Sequence, residues 1–188
     1  MDPRTDRLRL VPNALSVVRL LLAVPAFLLI TEYFETGNGL PALLAVMAAV
    51  VTTDQLDGRI ARRLGCCTDL GARLDVAADV AFAVSGILAL AVNGSTPYIL
   101  LAAMGLLFIA FAFSSRAAGR GKVVYDPVGR TAGILCMTFP YVAVASAWFG
   151  FPDGFVFWSG CILSALVFIA FEVRAASILL GGRVPASG

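Results

Sequence analysis

Residues 40–92 read LPALLAVMAAVVTTDQLDGRIARRLGCCTDLGARLDVAADVAFAVSGILALAV. Two apolar blocks, each long enough to cross a bilayer as a helix of roughly 20 residues, meet here at a connection dense in charge. Asp54, Asp57, Asp75 and Asp79 lie within the blocks or at their ends. A carboxylate at membrane depth is costly, and it is retained where it faces a cavity, a partner or an ion. The spacings are helical: Asp54 and Asp57 are three apart, Asp75 and Asp79 four apart, so each pair occupies one helix face. The stretch therefore predicts two membrane helices whose acidic faces can converge.

The rest of the chain fits the same solvent. Of its 188 residues 60% are hydrophobic and only 14% charged, with a mean hydropathy of +0.90, far more apolar than an ordinary globular domain. Apolar runs bounded by turn residues or charges place spans at 13–34, 39–64, 70–92, 96–116, 128–149 and 154–180. The expected fold is an all-α integral membrane protein of six transmembrane helices. Residues 1–12, with alternating charges around Leu8, Leu10 and Val11, suit a short amphipathic cytoplasmic segment on the membrane surface. The membrane domain covers 13–180, and 181–188 form a cytoplasmic tail. The first apolar run is followed by no small-residue cleavage site and reads as a retained span.

Charge fixes the orientation. On this layout all 14 Lys and Arg fall on one side: Arg4, Arg7, Arg9 and Arg19 at the start, Arg59, Arg62, Arg63 and Arg73 around the second connection, Arg116, Arg120, Lys122 and Arg130 around the fourth, and Arg174 and Arg183 at the end. By the positive-inside rule that side is cytoplasmic, and both termini with it. The net charge of +2, with no basic run interleaved with aromatics, gives no footing for nucleic acid. Four cysteines without a CxxC pair, and no histidine, leave a zinc site without ligands; Cys66, Cys67, Cys136 and Cys161 read as small apolar fillers.

Four carboxylates close together repel unless protons or cations neutralise them, and hard oxygen donors favour magnesium, manganese or calcium. One or two such ions suit a diphosphate substrate, because they bridge phosphate oxygens and neutralise developing charge. An ion or proton carrier could use the same acids. The fuller pattern is more specific: Asp54-x-x-Asp57-Gly58-x-x-Ala61-Arg62, an eight-residue spacer, then Gly71-x-x-x-Asp75-x-x-x-Asp79. This resembles the signature of the CDP-alcohol phosphatidyltransferase family at every defining position, eight fixed residues at fixed spacing.

The resemblance implies metal-dependent transfer of a phosphatidyl group from a CDP-linked lipid such as CDP-diacylglycerol to a small alcohol, with CMP as leaving group. It implies Mg2+ or Mn2+ on Asp54, Asp57, Asp75 and Asp79, with Asp79 also the general base. Gly58, Ala61, Arg62 and Gly71 would join Asp54, Asp57 and Asp75 in holding the nucleotide, Gly71 also keeping the second and third helices close. A homodimer is implied by the resemblance alone.

The acceptor is read from weaker signals. Asn13, Ser16 and Arg19 resemble the first helix of phosphatidylglycerophosphate synthases in this family, although Arg19 could equally snorkel to the interface and Asn13 cap the helix. With the Gly121–Lys122 pair and the cations Arg116, Lys122 and Arg130, they favour glycerol 3-phosphate. Inositol phosphate is the alternative, then inositol, serine or phosphatidylglycerol; a carrier, or an idle lipid-binding protein, would be a different class. Glu172 and Arg174 are expected to pair at the interface, and Trp148 and Trp158 to lie in an outer aromatic belt.

Overall fold

The computed structural model describes residues 3–64, 69–117, 127–152 and 154–179. They form six helices, with no strand among them: α1 Pro3–Thr36, α2 Leu40–Leu64, α3 Asp69–Val92, α4 Ile99–Ala117, α5 Pro127–Trp148 and α6 Phe155–Leu179. Each coincides with one expected span to within a few residues, except that α1 begins ten residues earlier. The surface segment expected at 1–12 is helix from Pro3 and runs unbroken into the first span. At 1.5 Å per residue its 34 residues extend about 51 Å, against roughly 30 Å of hydrocarbon. The apolar part, Ala14–Thr36, is 23 residues and is long enough to span the core by itself.

Four helices are long and apolar enough to cross a membrane: Ala14–Thr36, Leu74–Val92, Pro127–Trp148 and Phe155–Ala176. The other two carry shorter apolar stretches, Leu40–Leu56 and Ile99–Ala112. The reason is plain in their sequences. The C-terminal end of α2 holds Asp54, Asp57, Arg59, Arg62 and Arg63, and α4 closes on Ser114, Ser115 and Arg116.

The chain divides into two compact units, residues 1–93 and 94–188. In the first, α1 packs against both α2 and α3, which share little direct contact among the described residues. Ala23, Ala26 and Ile30 of α1, Leu43, Met47 and Val50 of α2, and Ala78, Phe82 and Ile87 of α3 are buried. Small residues on α1 and α3 permit close approach, the usual device where lipid removes the hydrophobic drive between helices. Among the described residues α1 is the helix that joins α2 and α3.

In the second unit α6 packs against α4 and α5, with Leu100, Leu107, Phe139, Val144, Leu163 and Val167 among the buried side chains. Pro140, buried inside α5, leaves one carbonyl of that helix without its intrahelical donor. The end of α5 is a Schellman motif: Phe151 N–H donates to Ser146 O at 3.0 Å and Gly150 N–H to Ala147 O at 3.3 Å, with Gly150 at φ 67°. Trp148 and Trp158 flank this turn and are exposed, as a belt position requires.

Gly160 on α6 lies directly against the α3–α4 connection. A Cβ there would overlap the buried Thr96 Oγ1 and stand 3.0 Å from Pro97 Cδ. We expect Gly160→Ala to cost about 1–3 kcal/mol, as overpacking generally does, read as a lower melting temperature in detergent. An unchanged melt would show that the connection shifts freely.

Candidate active site

The acidic site is built by the first unit. Asp54 lies near the polar end of α2, and Asp75 and Asp79 lie one turn apart near the start of α3. One carboxylate oxygen from each falls within 4.8 Å of the others, so the two helix faces do converge. The side chains of Asp54, Asp75 and Asp79 are 52%, 44% and 25% exposed, an opening on one side of the cluster.

The other side is closed by a residue from the third helix of the unit. Arg19 of α1 is 0% exposed. Its Nη1 stands 3.0 Å from Asp54 Oδ1, 2.9 Å from Asp75 Oδ1 and 2.5 Å from Asp79 Oδ1. It donates to Asp75 and Asp79 in well-formed hydrogen bonds. Arg19 therefore does not snorkel; among the described residues it is the cation that meets all three acids. Ser16, one turn earlier on α1, is buried on the same helix face. From the sequence Arg19 divides evenly between snorkelling and a functional pattern with Asn13 and Ser16, and its place against the aspartates was missed, although a charge inside an apolar run opposite unneutralised acids was the available signal.

Three carboxylates and no soft ligand form an oxygen site, the preference of Mg2+, Mn2+ and Ca2+. A span of 4.8 Å is about twice the 2.0–2.6 Å metal–oxygen distance of these ions, so the oxygens can share one with little movement. The residues fit a hard divalent cation.

The side chains of Asp57, Gly58, Ala61, Arg62 and Arg116 lie outside the described residues, as does all of Lys122. The backbones of Asp57, Gly58, Ala61 and Arg62 continue α2 beyond Asp54, and Arg116 is in the last turn of α4. Gly71 is half-buried in the first turn of α3, and Arg130 is exposed in the first turn of α5. Glu172 and Arg174 do not share a face: Glu172 is exposed, while Arg174 is buried with its guanidinium 4.9 Å from the Phe111 ring centroid. Two residues apart on a helix, they point about 160° from one another, and the cation–π contact draws Arg174 inward. Cys136 is buried and Cys161 half-buried, both free thiols in apolar helices.

Residues 9–173 match the family model for CDP-alcohol phosphatidyltransferase. The chain belongs to the CDP-alcohol phosphatidyltransferase family. A Mycobacterium tuberculosis protein provisionally named cardiolipin synthase is 32% identical over 150 residues, 80% of this chain and 64% of its own length. A Streptomyces coelicolor cardiolipin synthase (CMP-forming) is 37% identical over 91 residues, 46% of this chain and 41% of its own. A Pseudomonas fluorescens CDP-diacylglycerol–glycerol-3-phosphate 3-phosphatidyltransferase is 42% identical over 69 residues, 37% of this chain and 34% of its own. The chain thus spans under two thirds of the length of these relatives. No solved structure matches it. Membership in a membrane family and the long apolar helices together make this an integral membrane protein.

Proposed function

We propose that this CDP-alcohol phosphatidyltransferase family member transfers a phosphatidyl group from CDP-diacylglycerol, or a similar CDP-lipid, to the hydroxyl of a small alcohol and releases CMP. The observation that carries the reading is the meeting of Asp54, Asp75 and Asp79 within 4.8 Å, open on one side and backed by a buried arginine on the other. In a family named for this transfer, that is where a diphosphate is gripped.

A divalent cation, Mg2+ or Mn2+, held by Asp54, Asp57, Asp75 and Asp79 supplies charge neutralisation for the diphosphate when bound. Asp79 is the least exposed of the three described acids and takes the proton of the acceptor hydroxyl. The acceptor oxygen forms a bond to the phosphorus bearing the lipid, the bond from that phosphorus to the CMP oxygen breaks, and CMP leaves with the electron pair. Gly58, Ala61 and Gly71 give the nucleotide access to backbone, and Arg62 orients its phosphates.

All six helices cross the membrane in this reading. The shorter apolar stretches of α2 and α4 are those whose ends carry charge at the cytoplasmic face, where the termini and the active site lie. The six-helix domain covers 13–180, and the protein works as a homodimer.

Glycerol 3-phosphate is the acceptor we favour, with Arg116, Lys122 and Arg130 meeting its phosphate. The Pseudomonas relative supports it by name. A second reading has its own support: the 150-residue match is to a protein provisionally named cardiolipin synthase. Cardiolipin carries two phosphatidyl groups on one glycerol, so phosphatidylglycerol would then accept.

The test is purified protein with CDP-diacylglycerol, Mg2+ or Mn2+ and each acceptor in turn, following CMP and identifying the lipid. A carrier or an idle lipid-binding protein would release no CMP. With glycerol 3-phosphate as acceptor, Arg130→Ala should raise the acceptor KM by about 3–10-fold and the donor KM much less, a loss on the scale of 1 kcal/mol. The reverse pattern moves Arg130 to the nucleotide.

A further inference from the structure

Arg19 is the point at which this chain goes beyond its acidic signature. Its guanidinium is wholly buried, comes from a different helix than any of the carboxylates, and brings one nitrogen within 3.0 Å of all three. We infer that Arg19 is an internal counter-cation, holding the carboxylates of α2 and α3 together and opposing divalent-ion binding, so that it sets the affinity of the metal site. The inference rests on the metal-site reading above and deepens it.

The argument is one of linkage. Asp54, Asp75 and Asp79 carry three negative charges when ionised, and at their separation they would drive α2 and α3 apart. Among the described residues those two helices have little direct contact to resist this, and α1 is what both pack against. Arg19 supplies the missing attraction from within α1, at a place closed to solvent where screening by water is weakest. A divalent ion neutralises the same three charges. Two cations serving one cluster repel each other, so Arg19 stabilises the metal-free site more than the metal-bound one. By reciprocity the metal then binds more weakly with Arg19 present than without it. An arginine that merely aligned ligands would have the opposite sign, since its removal would weaken the metal.

The experiment uses the full chain in detergent or nanodiscs, with two readouts that need no turnover: Mn2+ binding followed by the loss of the free-ion EPR signal, and the melting temperature with and without Mn2+. For R19Q we expect a metal-free melt about 5 °C or more below wild type, a larger rise on adding Mn2+, and a half-saturating Mn2+ concentration about 5-fold or more lower than wild type. The double variant R19Q/D54N, which removes one negative charge with the positive one, should regain much of the lost metal-free stability. Weaker Mn2+ binding by R19Q, an unchanged metal-free melt, or no recovery in the double variant each overturns the inference. If R19Q does not accumulate as folded protein, recovery of folded protein in R19Q/D54N supports it and failure to recover overturns it. D75N separates this from the underlying reading: wild-type Mn2+ affinity in D75N would sink the metal site itself, whereas loss of Mn2+ binding there, with R19Q behaving as wild type, sinks only the part assigned to Arg19.

Discussion

Asp79→Asn should lower turnover by about 10³-fold or more while leaving the protein folded. The substitution conserves volume and an acceptor oxygen, so the packing of α3 against α1 is retained. In the proposed mechanism it removes both a charge that would face the divalent cation and the basic oxygen that would take the acceptor proton. General-base catalysis alone contributes typically 10²–10⁴-fold, and a factor of 10³ is about 4 kcal/mol of transition-state stabilisation. Because Arg19 donates to Asp79 at 2.5 Å, the amide must still meet that guanidinium, and its NH2 group turned the wrong way would add to the loss. CMP release from CDP-diacylglycerol at saturating acceptor measures the effect. Turnover within a few-fold of wild type would remove Asp79 from the role of base.

Chelation should be as severe and, unlike substitution, reversible. Treatment with EDTA is expected to reduce CMP release by at least about 100-fold, and added Mg2+ or Mn2+ should restore it. An all-oxygen donor set binds hard ions in preference to thiophilic ones, so Zn2+ should restore less. The residual cluster after stripping still holds Arg19 against three carboxylates, which predicts that the stripped protein keeps its helical content by circular dichroism. Full activity in EDTA would contradict the metal-dependent reaction outright.

The acidic face was legible in the sequence because helical periodicity alone brings Asp54 onto one face of α2 and Asp75 with Asp79 onto one face of α3. Six apolar runs were legible for the same reason, each being bounded by glycine, proline or charge. The helix start at Pro3 was not, because a change from charged to apolar composition at residue 14 marks a change of solvent and leaves the backbone free to remain helical. The burial of Arg19 and of Arg174 was not legible either. Each is near the end of an apolar run, where a long cationic side chain ordinarily reaches for water. A partner from another helix reverses that preference, carboxylates in one case and the Phe111 ring in the other, and neither partner is local in sequence.

The separation between Arg19 and its acids, 56 residues to Asp75 and 60 to Asp79, bears on how the chain is made. A ribosome adding roughly 5–20 residues per second delivers the arginine to the translocon several seconds before the last of its aspartates exists. During that interval the first hydrophobic segment carries a positive charge near its start without these partners, a smaller burden than the roughly 2.5–3.5 kcal/mol of an arginine at the centre of a span. The aspartates that follow then arrive at a cation already made, and their ion pairs with it can form only after the third segment has been synthesised.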